Sequence, residues 1–324
     1  MASEVSHRII RTNGINMHIA EQGSGPVVLL IHGFPELWYS WRHQIRELAM
    51  AGYHAVAPDM RGYGDTDVPL GVHNYSHLRL VGDLIGLLDA LGHHKVFVVG
   101  HDWGSIVASH LCLFRPDRVI ALVNLSVPYR PRDPTKSPVE KMRSLLGEGY
   151  YICRFQEPGK AEEEFARYNY TEIMKKFLLG TLPGGLFSVS TDQGILDTLE
   201  TPATLPSWMT EEDIQYFAKM FAKTGFTGGL NYYRVLDLDW ELLAPWTGAE
   251  ITVPTKYIVG DKDLVYNTLG TKNYVHEGGL KKNVPFLEEI VVIKDGHHFI
   301  QQEKSHEISQ HILDFFGKFK LSAL

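Results

Sequence analysis

The pentapeptide Gly100-His101-Asp102-Trp103-Gly104 follows the apolar run Val96-Phe97-Val98-Val99 and precedes a segment with helical spacing. A strand that turns at once into a helix holds its central residue in a strained backbone, and side chains at the flanking glycine positions would clash. Hydrolases acting on esters place Ser at the centre of this G-x-Nu-x-G turn; here the residue is Asp102. The helix N-terminus that opens near Gly104 favours a negative charge on it, so an ionised carboxylate nucleophile is physically supported. An Asp in front of a helix is also a common N-cap, and the pentapeptide alone does not separate the two roles.

Such a nucleophile needs an orienting acid and then a histidine later in the chain. Gly260-Asp261-Lys262-Asp263 follows the apolar run Tyr257-Ile258-Val259, and Asp295-Gly296-His297-His298-Phe299 follows Ile290-Val291-Val292-Ile293. Both lie just past the C-terminal ends of predicted parallel strands, where active sites of open α/β sheets collect. Asp263 and His298 are the candidates, with Asp261 and His297 as their neighbours and competitors. Upstream, His32-Gly33-Phe34-Pro35 has the form of a loop that gives one backbone N–H, that of Phe34, to an oxyanion hole, the second donor being the N–H of Trp103. Viewed alone the loop reads equally well as a tight turn, and Phe34-Pro35 has the option of a cis bond.

The elements that must hold these residues follow from apolar periodicity. Alternation at 8–12 and 15–20 around Asn13-Gly14 predicts a hairpin with a type I′ turn. Continuous apolar runs at 27–31, 55–57, 96–99, 120–125, 257–259 and 290–293 predict strands buried on both faces. Helical spacing occupies 38–51, 78–91, 105–114 and 308–319. The fold class is therefore α/β, a mostly parallel sheet with helices on both faces. The alternation breaks once, after Val127, where a Pro-rich stretch opens a region with helical patches at 143–151, 162–179 and 211–224, punctuated by Leu182-Pro183-Gly184-Gly185. Residues 129–247 read as an inserted helical lid, with 1–128 and 248–324 as the core.

Composition bounds the function. At 324 residues with 44% hydrophobic and 21% charged residues the chain can bury a large core. A net charge of -7 without a basic run excludes nucleic acid and anionic membrane as expected partners. Cys112 and Cys153 are too few for a disulfide framework, and no segment has the length and apolarity of a membrane span, which points to the cytoplasm. The C-terminal Ser322-Ala323-Leu324 is taken as a chance likeness to a peroxisomal address. No metal or organic cofactor is expected: no clustered Cys/His set, no H-E-x-x-H helix and no dinucleotide fingerprint is present.

His32-Gly33-Phe34-Pro35-Glu36, Arg61-Gly62-Tyr63-Gly64, the Asp102 pentapeptide, Gly260-Asp261-Lys262-Asp263 and His298-Phe299 together resemble the signature set of the α/β-hydrolase-fold soluble epoxide hydrolases. Gly149-Tyr150-Tyr151-Ile152-Cys153-Arg154-Phe155-Gln156 and Asn231-Tyr232-Tyr233-Arg234 are similar to lid segments of the plant branch. The resemblance implies an α/β-hydrolase fold, the triad Asp102, Asp263 and His298, and two lid tyrosines, Tyr151 and Tyr233, that donate to the epoxide oxygen. It implies fatty-acid and styrene-oxide-like epoxides as substrates. Apolar candidates for the substrate-binding wall are Phe34, Pro35, Trp103, Ile106, Ile152, Leu264 and Phe299. The competing readings are a haloalkane dehalogenase, whose leaving halide would be bound by the Trp103 indole, and a ligand receptor that retains the cavity without turnover.

Overall fold

The alternating and continuous apolar runs become the strands of one eight-stranded sheet. In chain order they are β1 (Ser6–Thr12), β2 (Ile15–Gly23), β3 (Val27–Ile31), β4 (His54–Pro58), β5 (Val96–His101), β6 (Val119–Leu125), β7 (Thr255–Gly260) and β8 (Leu287–Ile293). The spatial order is β1-β2-β4-β3-β5-β6-β7-β8, with β1 and β2 antiparallel and β3 to β8 mutually parallel. The computed structural model describes residues 4–181, 188–190 and 193–319, so the punctuation at Leu182 to Gly185 and the C-terminal tripeptide lie outside the described residues.

The hairpin turn has positive φ at both Asn13 (44°) and Gly14 (81°), as a type I′ turn requires. β3, β5, β6 and β7 are buried at every residue, in agreement with the apolar runs they contain, and this burial takes in His101, Asn124, Thr255 and Lys256 as well. β8 departs from the expectation of burial on both faces. It closes the sheet beside β7, and its Val292 remains 40% exposed although the run Ile290 to Ile293 is wholly apolar.

The core helices are α1 (Arg42–Met50), α2 (His77–Ala90) and α3 (Trp103–Phe114). Between β6 and β7 come α4 (Pro138–Leu146), α5 (Tyr151–Arg154), α6 (Lys160–Phe165), α7 (Tyr170–Leu179), α8 (Ile195–Thr198), α9 (Glu211–Thr224), α10 (Thr227–Arg234) and α11 (Leu236–Leu242). After β7 follow α12 (Thr271–His276), α13 (Gly279–Asn283), α14 (Ile300–Glu303) and α15 (Ser305–Gly317). Strand alternation splits the core. Val28 and Leu30 of β3 pack with Ile45 and Leu48 of α1 and Ile312 and Phe316 of α15. Leu29 and Ile31 face the other way, toward Leu84 of α2 and Val107 of α3, in an apolar cluster that continues into Phe165, Phe217 and Phe221 of the inserted helices.

Two helical expectations in the insertion need correction. The patch at 143–151 is replaced by α4, which starts at Pro138 behind the Ser137 cap, whose side chain accepts from Glu140 N, and stops at Gly147 with φ 78°. The patch at 162–179 is broken by Asn169, whose side chain caps α7 by accepting from Glu172 N. In both cases a capping residue outranks the apolar period. The spacing also gave no sign of α10, because Gly228 and Gly229 depress helix propensity. A Cβ on Gly228 would stand 2.4 Å from the Gly62 carbonyl oxygen, so the glycine allows α10 to lie against the Arg61-Gly62-Tyr63-Gly64 loop.

Candidate active site

The sheet places the chemistry at its switch point. From β3 the chain moves outward to β4 on one side, and from β5 to β6 on the other, leaving a crevice at the C-terminal ends of β3 and β5. Phe34 follows β3 and Asp102 follows β5, so both enter that crevice. Asp102 has φ 53° and ψ -121°, the strained conformation expected of the turn. A Cβ built on Gly100 would lie 2.3 Å from the Gly104 carbonyl oxygen, and one on Gly104 would lie 2.0 Å from that of Ile31.

Asp102 Oδ1 accepts from the Phe34 N–H at 2.9 Å, and Oδ2 lies 3.4 Å from His298 Nε2. The opposite ring nitrogen, Nδ1, lies 3.2 and 3.1 Å from the two oxygens of the fully buried Asp263. Val265 N–H donates to Asp263 Oδ1 at 2.7 Å and fixes the carboxylate. The competitors stand outside this line: His297 is exposed and paired with Glu303, and among the described residues no hydrogen bond joins Asp261 to the imidazole, which Asp263 holds. Phe34-Pro35 is cis.

The inserted helices supply the roof. Tyr151 opens α5, and Tyr233 lies near the end of α10, with ring centroids 5.8 Å apart. Tyr232 turns away and donates to the Arg61 carbonyl oxygen at 2.9 Å. The cavity between roof and crevice is lined by Phe34, Pro35, Phe155, Phe177, Leu264 and Phe299 among others, around Asp102, His298, Tyr151 and Tyr233. Part of it is open to solvent. Trp103, Ile106 and Ile152 are not among its lining residues. Trp103 stands edge-on behind Tyr233 at 4.9 Å, Ile106 lies farther along α3, and Ile152 is turned about 100° from Tyr151 by the helical rotation. Phe177, Ile195 and Val265 line the cavity and carry no motif that marked them, while Phe155 lies in the quoted lid segment without having been assigned to the wall.

The electrostatics are those of an ionised nucleophile beside a cationic base. Burial acts to raise the Asp102 pKa, but the hydrogen bond and charge of His298, the His101 ring and the Phe34 N–H together hold it below the ordinary carboxylate value. For His298 burial acts downward, and the charge of Asp263 with the hydrogen bond to Asp102 overcomes it, so the imidazole pKa stands well above its usual value. Burial, neighbouring phenols and the Asp102 charge push Tyr151 up, and burial and the Asp102 charge push Tyr233 up; both keep their protons at neutral pH. Trp103, packed edge-on against Tyr233, opposes that rise.

Sequence reasoning assigned no role to a buried group behind the triad. Glu36 accepts from Gly33 N–H at 3.0 Å and from Gln301 Nε2 at 2.7 Å, and pairs with His101 Nδ1 at 2.5 Å, while His101 Nε2 donates to the His298 carbonyl oxygen at 2.7 Å. Glu36 and His101 sit inside the two quoted motifs, which was the available signal. Among the described residues no group of three or more metal-ligating side chains converges.

Residues 26–147 match the family described as alpha/beta hydrolase fold. Epoxide hydrolase 1 of Siraitia grosvenorii is 56% identical over 322 residues, covering 98% of this chain and 99% of that protein. The structure of potato (Solanum tuberosum) epoxide hydrolase I superposes with a TM-score of 0.94 at 52% identity, covering 98% of this chain and all of the other. A crystal structure of an epoxide hydrolase from Vigna radiata gives 0.92 at 53% identity, covering 98% and 99%. With identity this high over nearly its whole length, the chain belongs to the plant epoxide hydrolases of the α/β-hydrolase fold.

Proposed function

We propose that this chain hydrolyses apolar lipid or aryl epoxides to vicinal diols through an ester on Asp102, with residues 129–247 acting as a lid over the core. The observation that carries the reading is that Asp102 and the phenols of Tyr151 and Tyr233 line one cavity from opposite sides. A strained cyclic ether needs a nucleophile at carbon and a proton donor at oxygen. In the first step a carboxylate oxygen of Asp102 bonds to the epoxide carbon, the carbon–oxygen bond breaks, and the phenols stabilise and protonate the departing oxygen, which stays on the substrate.

The second step hydrolyses the ester. A neutral His298 takes a proton from water through Nε2, the hydroxide oxygen adds to the ester carbonyl, and the diol leaves as Asp102 is restored. The N–H groups of Phe34 and Trp103 are the donors for the tetrahedral oxyanion. Alkylation prepares the base for this step. Esterification removes the Asp102 charge and hydrogen bond, two of the influences that keep His298 protonated, so its pKa falls as the base is needed. The proton it releases balances the one that the phenols gave to the substrate oxygen.

The cavity wall of Phe34, Phe155, Phe177, Leu264 and Phe299 supports apolar substrates. Trp103 stands behind Tyr233 and does not line the cavity, which argues against halide binding by its indole and hence against dehalogenation. Cytoplasmic residence is supported by two free, buried cysteines, Cys112 and Cys153, and among the described residues no helix is long and apolar enough to cross a membrane. The test is turnover on a panel of lipid and aryl epoxides beside a haloalkane. Diol formation without halide release is the expected result, and efficient halide release with inert epoxides would overturn the reading.

A further inference from the structure

Ser126 lies directly after β6, between the strands that carry Asp102 and Asp263, and is fully buried. Its backbone is held by β7 on both sides: its N–H donates to the Ile258 carbonyl oxygen at 2.9 Å, and its carbonyl oxygen accepts from the Tyr257 hydroxyl at 2.6 Å. Its φ of 71° is one that glycine adopts without steric cost and serine does not. A side chain kept at such a place invites the question of what it touches. Ser126 Oγ is 3.0 Å from His298 Nδ1, and its hydroxyl is among the groups that hold the Asp263 carboxyl below its usual pKa. A hydroxyl can donate one proton and still accept. With its proton directed to Asp263, Oγ offers a lone pair to the Nδ1–H of His298.

We propose that Ser126 is a positioning residue of the hydrolytic base: it joins Asp263 in holding the hydrogen on Nδ1 of His298, which leaves Nε2 to take the proton of water. The proposal rests on the roles given above to Asp102, Asp263 and His298. The charged and titratable groups that face the pair are Asp102 from the turn after β5, His101 from the end of β5 with its ring 4.9 Å from that of His298, and Tyr257 from β7. Among the side chains named, Ser126 and Asp263 are the two within hydrogen-bond distance of His298 Nδ1.

The test compares Ser126→Ala and Ser126→Gly, resolving alkylation and ester hydrolysis by rapid mixing across pH, with thermal melting of each variant. Glycine suits the backbone and alanine does not, so the two variants differ in stability while lacking the same hydroxyl. Hydrolysis is expected to slow about tenfold in both, a typical effect of losing a hydrogen bond to a charged group. The loss should exceed any loss in alkylation. Because the imidazolium loses an acceptor, the acid-side midpoint of hydrolysis should move to lower pH in both variants. Hydrolysis that recovers in Ser126→Gly along with stability, or an unmoved midpoint, would overturn the proposal. Failure of the underlying triad reading looks different: with enzyme in excess, no alkyl-enzyme mass would appear in the wild type, in either Ser126 variant or in His298→Asn.

Discussion

Removing both phenolic hydroxyls, in Tyr151→Phe/Tyr233→Phe, tests where the charge of ring opening goes. Both rings reach the cavity that holds Asp102, and both hydroxyls feel its charge, which helps to keep them protonated and able to donate. Donors aimed at a developing oxyanion are each worth about 10²–10³ in rate, or about 2.7–4 kcal/mol. With the ring centroids 5.8 Å apart, the two phenols can serve one oxygen, so the remaining one partly compensates in a single variant. A single change is therefore expected to slow alkylation about 10²-fold and the double change about 10⁴-fold or more. The assay is rapid mixing with a styrene-type epoxide, followed through tryptophan fluorescence, since Trp103 adjoins the nucleophile and packs on Tyr233 at 4.9 Å. Tyr233 is buried and packs on Phe34, Trp103 and Phe155, so circular dichroism and melting accompany the kinetics. Alkylation by a folded double variant within about tenfold of wild type would refute the assignment of these tyrosines.

His298→Asn is expected to permit alkylation and halt hydrolysis, so the ester accumulates and is seen by intact mass, whereas His297→Asn, at an exposed side chain, turns over normally; the reverse pattern would move the base by one residue. Glu36→Gln weakens the hold on His101, which fixes the His298 carbonyl, and should slow hydrolysis about tenfold and lower stability by about 1.5–3 kcal/mol in urea titration. Asp239 of α11 is buried against the His77 N–H of α2, and burial raises its pKa to about 7. A folded-state value above the unfolded one means that the native protein binds the extra proton between about pH 4 and 7, so its stability falls as pH rises through that window. Asp239→Asn should therefore gain on the order of 3 kcal/mol over wild type at pH 8 and little at pH 4, measured by urea unfolding at both.

The sheet was legible because β3, β5, β6 and β7 each contain a continuous run of apolar residues, and the crevice followed from the residues placed just after them. Edge position is a property of strand order and not of local sequence, which is why β8 read as buried. The inserted helices were less legible where Ser137 and Asn169 caps set boundaries against the apolar period, and where Gly228 serves the approach of α10 to Gly62. Phe155 just past α5, Phe177 of α7 and Ile195 of α8 are brought to one cavity only by tertiary packing. Glu36, His101 and Ser126 act through hydrogen bonds between distant strands and loops, a pairing no single segment encodes.

The covalent role of Asp102 is tested most directly by a single turnover in heavy-oxygen water with enzyme in excess over an epoxide. Asp102 donates its own oxygen to the diol if it attacks carbon, and the water oxygen enters the restored carboxylate. The account predicts a first diol free of heavy oxygen and a labelled Asp102 peptide by mass spectrometry. Heavy oxygen in that first diol, with an unlabelled Asp102, would show that water attacks the epoxide directly and would contradict it.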